Sequence, residues 1–368
     1  MLHTFNKNMI ELDGTYGEGG GALLRVALAV STLTGKPFKI ENIRAGRPVP
    51  GLKPQHLTGI KALKEITGAK SDDTKVGTTE LWFQPGKIKG GNYTIDIGTA
   101  GSITLLLQAL VLPCIFAPSK VTLSIKGGTC GKWQASVDYL KEVLLPQLRR
   151  FVKKIDLRII KRGYYPKGGG EIILEISPKY KSFESLENDI NNNLVNIINI
   201  VEQGKLEQIR GVLNLSQVLA EEKIDERIVN AAKSSLSSKE VPVNIRTEQA
   251  NTYSIGGELL LWSVHSQDGD TALPNPIRLG GDALLEKNKS SEEIGKEAAQ
   301  ELIEEIDSGA AVDKHLADQL LQFMALLPGS KIKTSKVTNH CLTNIYVLEK
   351  FLPIKFNVEN NIISVEKI

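Results

Sequence analysis

The chain has 368 residues with 45 basic and 42 acidic side chains, a net charge of +3, 41 % hydrophobic and 24 % charged residues. Those values suit a globular protein with a full core and exclude intrinsic disorder, which pairs low hydrophobicity with high net charge. At roughly 100–200 residues per domain, the length suggests two domains, or one large body with an insertion.

The longest apolar run, Ile103–Phe116, contains Gln108 and Pro113 and falls short of the roughly 18 residues that a membrane span needs. The N-terminus, where His3 occupies an expected frayed end, has no apolar signal-peptide region. Cys114, Cys130 and Cys341 form no CxxC pair, which argues against a disulfide framework or a structural zinc and for a cytoplasmic setting, while the missing apolar span leads us to expect no membrane partner.

Hydrophobic periodicity then predicts the elements in order. A helix at Ala22–Leu33, a strand at Phe38–Ile43, a helix at Pro54–Ile66 and strands at Glu80–Phe83 and Thr94–Ile97 come first. Next come a helix at Ser102–Phe116, a strand at Lys120–Ile125, a helix at Ala135–Phe151 and strands at Ile155–Lys161 and Glu171–Ser177. Phe183–Gln208 is polar, with an Asn cluster at Asn188–Asn193, and reads as a linker with a short helix. A strand at Leu206–Leu215, a helix at Glu222–Ser235 and strands at Val241–Thr247 and Leu259–His265 follow. The chain closes with helices at Ser291–Ile306 and Val312–Leu326, a strand at Lys331–Val337, a helix at Cys341–Phe351 and strands at Ile354–Val358 and Ile362–Glu366.

Helix–strand–helix–strand–strand thus recurs three times at roughly 80-residue spacing, the pattern of an internally repeated α/β body. The expected division is 1–181 for two repeats of the body, 182–280 for a small inserted α/β domain and 281–368 for the third repeat.

Familiar nucleotide and hydrolase motifs are missing: no GxxxxGK[ST] loop, no GxSxG, no HExxH and no Lys-x-Asp-Gly string. Histidine remains as a nucleophile toward phosphorus, because neutral imidazole attacks well at pH 7. His340 falls between the strand at Lys331–Val337 and the next helix, with Asn339 or Thr338 as cap; exposed N–H groups there suit phosphate. His315, Asp318 and Gln319 share a helix face at i, i+3 and i+4. In Asp13–Arg25, Glu18 sits among glycines, and a lone carboxylate suits Mg²⁺ shared with phosphate and water. The loop Arg44–His56 presents Arg44, Arg47, Lys53, Gln55 and His56, and arginine forks match phosphate oxygens. The Lys36–Lys64 segment is basic, whereas Glu292–Asp307 is acidic.

Several strings together resemble one family. Arg162-Gly-Tyr-Tyr-Pro-Lys-Gly-Gly-Gly-Glu-Ile172 is similar to the signature of the RNA 3′-terminal phosphate cyclases. The loop Asp13–Arg25, Ile43–Pro48, Gly51–Leu57, Gly98–Leu105, Ala317–Leu321 and His340–Ile345 match the family in its order. The resemblance, from about Met9 to Ile368, implies a fold of three two-helix, four-stranded-sheet units like the C-terminal domain of translation initiation factor 3, with a smaller inserted α/β domain.

It also implies ATP-dependent conversion of an RNA 3′-phosphate end to a 2′,3′-cyclic phosphate, with release of AMP and pyrophosphate. His340 would carry AMP covalently; Gln108, His315, Leu316, Ala317, Asp318 and Gln319 would form the ATP site. Arg25, Arg44, Arg47, Gln55 and His56 would hold phosphates of ATP or the RNA end, and Glu18 would hold Mg²⁺ or Mn²⁺. Assembly as a homodimer stays open. Two positions depart from the family: His315 often stands as Tyr, and Cys130-Gly-Lys-Trp133 replaces a segment with prolines, so the pocket wall is expected to differ there. Rival readings are a non-catalytic, cyclase-like ribosome-biogenesis protein and an enolpyruvyl transferase built of similar repeats. The intact His340 and Gln319 argue against the first, and the Arg162–Ile172 string against the second.

Overall fold

A computed structural model describes residues 9–192, 194–220, 223–267, 269–271 and 276–368, so His3 and Asn193 lie outside the described part. The first unit runs β1 (Ile10–Asp13), α1 (Ala22–Thr34), β2 (Phe38–Glu41), α2 (Pro54–Thr67), β3 (Lys70–Ser71) and β4 (Leu81–Gln84). Its sheet has the order β1-β2-β4-β3, with β1 and β2 parallel and the other pairs antiparallel. The second unit runs β5 (Gly91–Asp96), α3 (Ile103–Ile115), β6 (Val121–Gly127), a helical stretch from Val137 to Phe151, β7 (Val152–Lys161) and β8 (Gly170–Pro178). Its order, β5-β6-β8-β7, repeats the first. In β8 the alternation is plain: Ile172, Leu174 and Ile176 are buried while their neighbours are half-buried, the period-2 pattern of a sheet with one covered face.

Four features differ from the sequence expectation. The helix expected at Ala135–Phe151 is interrupted: α4 (Val137–Tyr139) passes through a π-helical turn at Leu140–Leu144 into α5 (Leu145–Leu148), where Pro146 removes a helical donor. The polar linker contains α6 (Phe183–Asn191) and a short strand, β9 (Asn199–Ile200). That strand pairs in parallel with a strand far along the chain and completes the last sheet.

Between them lie β10 (Lys205–Ser216), α7 (Gln217–Ala220), α8 (Ile224–Leu236), β11 (Val243–Ala250), β12 (Gly257–Ser266), β13 (Ile277–Leu284) and α9 (Ser291–Asp307). These strands form a sheet of order β11-β10-β12-β13. β13 is the third surprise, because Gly280 and Gly281 sit inside it. A Cβ at Gly280 would lie 2.5 Å from the Tyr139 ring, and one at Gly281 2.4 Å from the Leu302 backbone, so close packing on both faces demands glycine there.

The fourth feature is α9. It packs on α8 and β13: Ile294, Ala298, Ala299, Leu302 and Ile306 share a core with Leu213, Ile228, Ala232, Leu236 and Leu259. Burying such side chains contributes about 1.5–3 kcal/mol each, which ties α9 to the β10–β13 sheet. The opposite face of that sheet, with Val212, Leu260, Trp262 and Val264, joins the main core.

The chain ends with α10 (Lys314–Met324), β14 (Lys331–Lys333), α11 (Asn339–Phe351), β15 (Ile354–Glu359) and β16 (Ile362–Lys367); the sheet order is β15-β16-β14-β9. Read from its parallel edge this is β9-β14-β16-β15, the arrangement of the first two sheets. Among the described residues, no helix is long and apolar enough to cross a membrane. Helix α1 is buried nearly all round, against α3 on one side and α11 on the other, and the N-terminal ends of α1, α10 and α11 contribute residues to one cleft.

Candidate active site

The cleft has a volume of about 790 Å³. Arg25 enters it from the first turn of α1, Gln108 from α3, His315, Asp318 and Gln319 from α10, and His340 from α11. Helix α11 starts earlier than the sequence pattern indicates: Thr338 is the cap, its hydroxyl accepting the N–H of Cys341, so His340 stands in the first helical turn. The uncompensated N–H groups of that turn favour an anion.

The His340 ring is half-buried, and its Nδ1 lies 3.2 Å from Glu18 Oε1, although the angles are not those of a hydrogen bond. Burial lowers the His340 pKa from its ordinary value; Glu18 opposes the shift, and Arg25 and Arg47 add to it. The ring is therefore neutral at pH 7, the state in which imidazole is a nucleophile. Glu18 pairs through Oε2 with Arg47 at 2.9 Å, which leaves Oε1 buried and without a hydrogen-bond partner. The glycine beside it leaves room for the pair: a Cβ at Gly20 would lie 2.3 Å from Glu18 Oε1 and 2.9 Å from an Arg47 guanidinium nitrogen, so those side chains would have to shift.

Arg25 is buried and donates from Nε to Gln108 Oε1 at 2.7 Å. Burial lowers its pKa to about 10 despite the charges of Asp318 and Glu18, so it stays cationic with little compensation. Asp318 is pushed up to about 7, first by burial, with His315 and Arg25 resisting. His56, only 4 % exposed, accepts the Lys53 N–H on Nδ1 at 3.0 Å, while its Nε2 is buried without a partner. Burial first, then Arg25, Arg44 and Lys53, lowers its pKa to about 3. It is thus a neutral ring whose accepting Nδ1 puts the proton on Nε2, beside Gly21 and Arg25.

Other expected residues make different contacts. Arg44, at φ 59°, donates to the carbonyls of Val49 at 2.7 Å and Gly51 at 2.9 Å and so braces its own loop. Gln55 stands at the start of α2 near Gly101. Leu316 and Ala317 are fully buried in the main core, on the side of α10 away from the cleft. Gln319 donates to the His315 carbonyl at 2.8 Å.

Sequence reasoning missed the acidic wall, formed by Asp282 from β13 and by Glu297, Glu301 and Glu304 from α9. Glu301 takes Lys314 Nζ at 2.7 Å, has His315 Nε2 at 3.6 Å and accepts the Asp282 N–H at 2.8 Å. Burial works against charge on His315, but Glu301 and Asp313 outweigh it and raise its pKa. The acidic run Glu292–Asp307 and its i, i+4 spacing were the available signal. Asp313 was missed as well. It is buried, caps α10 through the N–H groups of His315 (2.9 Å) and Leu316 (2.8 Å), and accepts Tyr139 Oη at 2.7 Å and the Gly280 N–H at 3.0 Å. Trp133 stands at the rim, 94 % exposed, and is not packed.

A family model described as RNA 3′-terminal phosphate cyclase matches residues 16–358. The chain belongs to the RNA 3′-terminal phosphate cyclase family. It is 40 % identical to the RNA 3′-terminal phosphate cyclase of Pyrococcus furiosus over 96 % of each chain. It is also 40 % identical to that of Archaeoglobus fulgidus, over 97 % of this chain and all of the relative, and 42 % identical to that of Pyrococcus abyssi, over 96 % of each.

The string most similar to the RNA 3′-terminal phosphate cyclase signature, Arg162–Ile172, lies outside the cleft lining. Arg162 is buried and ion-paired with Asp138 and Glu248. Tyr164 Oη donates to Asn214 Oδ1 at 2.8 Å and the Lys167 N–H to Ser254 Oγ at 3.0 Å. In this family member the signature therefore fastens the second sheet to β10, β11 and the loop that follows them.

Proposed function

We propose that the protein is an ATP-dependent RNA 3′-terminal phosphate cyclase that works through a covalent His340–AMP. The neutral His340 attacks the α-phosphorus of ATP; an N–P bond forms and the P–O bond to pyrophosphate breaks. An oxygen of the RNA 3′-phosphate then takes the AMP, freeing the imidazole. The neighbouring 2′-OH attacks the activated 3′-phosphorus, loses its proton and expels AMP, a step favoured because nucleophile and electrophile are already tethered. The observation that carries this reading is a neutral nucleophilic ring on a cleft beside an undercompensated cation, Arg25. Arg25, Arg47 and the Nε2–H of His56 suit the phosphates as donors.

Gln108, His315, Asp318 and Gln319 are proposed to line the ATP site, all four opening on the same cleft. Glu18 suits Mg²⁺ or Mn²⁺, since its Oε1 is buried and unpartnered and Mg²⁺ often takes one protein carboxylate with phosphate and water. Such an ion supplies charge neutralisation on the phosphates. Three buried, unpaired cysteines support a cytoplasmic setting.

Incubation with α-labelled ATP and Mg²⁺ or Mn²⁺, followed by denaturing electrophoresis, tests the proposal. Wild type should carry label through a bond stable in alkali and broken in acid, and His340→Ala should fall to background, whereas His340→Asn should keep ATP binding. Label retained in His340→Ala would mean a different nucleophile. No label in folded wild type would favour the non-catalytic, ribosome-associated reading.

A further inference from the structure

The most exposed aromatic side chains among the described residues are Trp133 (94 %), Tyr165 (80 %) and Tyr253 (68 %). They come from three separate segments; those of Trp133 and Tyr165 border the loop Thr99–Gly101, and Tyr253 packs on the Tyr165 segment. A Cβ at Gly128, in the segment leading to Trp133, would lie 2.5 Å from the Ala100 carbonyl oxygen. One at Gly168, three residues after Tyr165, would lie 2.9 Å from Ala100 Cα, and one at Gly169 would lie 2.3 Å from the Tyr253 ring. Trp133 belongs to the cleft rim; Tyr165 and Tyr253 lie beyond it.

The loop between them leads back to the phosphate end of the site. A Cβ at Gly101 would stand 3.5 Å from Gln55 Oε1, and the next residue, His56, has its unpartnered Nε2 beside Gly21 and Arg25. The tyrosine-bearing segments are pinned by the Lys167–Ser254 and Tyr164–Asn214 hydrogen bonds and the buried Arg162–Asp138 pair, and Lys167 is exposed beside Tyr165. Rings held open to solvent by a fixed backbone lose little conformational freedom on stacking, and a nearby cation suits a phosphodiester.

We propose that Tyr165 and Tyr253 form a stacking platform for the bases that precede the 3′-terminal nucleotide of a single-stranded RNA, with Lys167 on its backbone. This rests on the reading that the cleft takes an RNA 3′-phosphate end. Single-strand sites use such rings without sequence preference, so the platform gives length preference.

The test is the affinity, by fluorescence anisotropy and competition, of wild type and Tyr165→Ala/Tyr253→Ala for 3′-phosphorylated RNA of about ten nucleotides and for a 3′-phosphorylated dinucleotide. Wild type should prefer the longer RNA, and the double variant should reduce that preference roughly 30-fold, at about 5-fold or more per ring. Tyr165→Phe/Tyr253→Phe, which keeps the stacking faces, should retain it. An unchanged preference, equal weakening at both lengths, or wild type that binds neither RNA would overturn the platform. Label transfer from ATP in wild type separates the two proposals. A Tyr-dependent length preference without label transfer sinks the catalytic reading alone, and label transfer without length preference sinks the platform alone.

Discussion

Two buried arginines in glycine-rich segments, Arg25 and Arg162, have opposite surroundings. On Arg162, burial acts against the charge, but the carboxylates of Asp138 and Glu248 outweigh it and raise its pKa. Arg25 has a neutral amide as its direct partner and carboxylates only at longer range, and burial lowers its pKa to about 10. A buried cation short of counter-charge is costly until an anion reaches it, whereas a fully paired one holds segments together. The string that looked most like a signature thus carries structure, and the weaker-looking loop around Glu18 is the one that meets His340. The carboxylates facing an arginine decide its role; the glycines around it do not.

The largest effect expected from breaking this contrast is in stability. Arg162→Ala leaves Asp138 buried without its partner and should cost about 3–5 kcal/mol, seen as a lower denaturant midpoint; a loss below about 1 kcal/mol would end the idea of a structural lock. Arg25→Ala should act mainly on the chemistry. Label transfer from ATP should fall by about 100-fold, as when a donor to a developing anion is removed, with a smaller loss of stability than Arg162→Ala. Equal stability losses in the two variants would erase the distinction.

A pH-dependent effect sharpens it at His56, held neutral beside Arg25. Its pKa is lowered to about 3 in the folded protein, against an ordinary value near 6.5. Between those values the unfolded chain binds a proton that the folded one does not. Stability therefore falls as pH drops from about 6.5 toward 3, by about 1.4 kcal/mol per pH unit from this group. Removing the ring in His56→Gln should flatten that slope. An identical pH dependence of the denaturation midpoint in wild type and variant would show that His56 does not titrate in this way.

Much of the fold was legible where short-range forces decide it. The alternation in β8, the apolar length of α1 and α3, and the strand–helix order of the three similar sheets all follow from side-chain period. The place of His340 was legible too, because a strand followed by a cap residue puts it at a helix start. What escaped was decided by partners distant in sequence. β13 carries Gly280 and Gly281, poor strand formers, because Tyr139 and Leu302 press on it from opposite sides. β9 has two residues and little pattern of its own, and exists because β14 pairs with it. Arg44 has the chemistry of a phosphate ligand but donates to Val49 and Gly51.

The sequence by itself determined most of the elements, their repeated order, the helix-start position of His340 and the residue types available for phosphate chemistry, since propensity, capping and periodicity act over a few residues. Tertiary structure alone decided which elements share a core and which charges meet. It attached α9 to the β10–β13 sheet, brought Glu18 to 3.2 Å from His340, and left Arg25 short of counter-charge while Arg162 was fully paired. Burial and electrostatics depend on which groups are adjacent in space, and only the folded chain sets that.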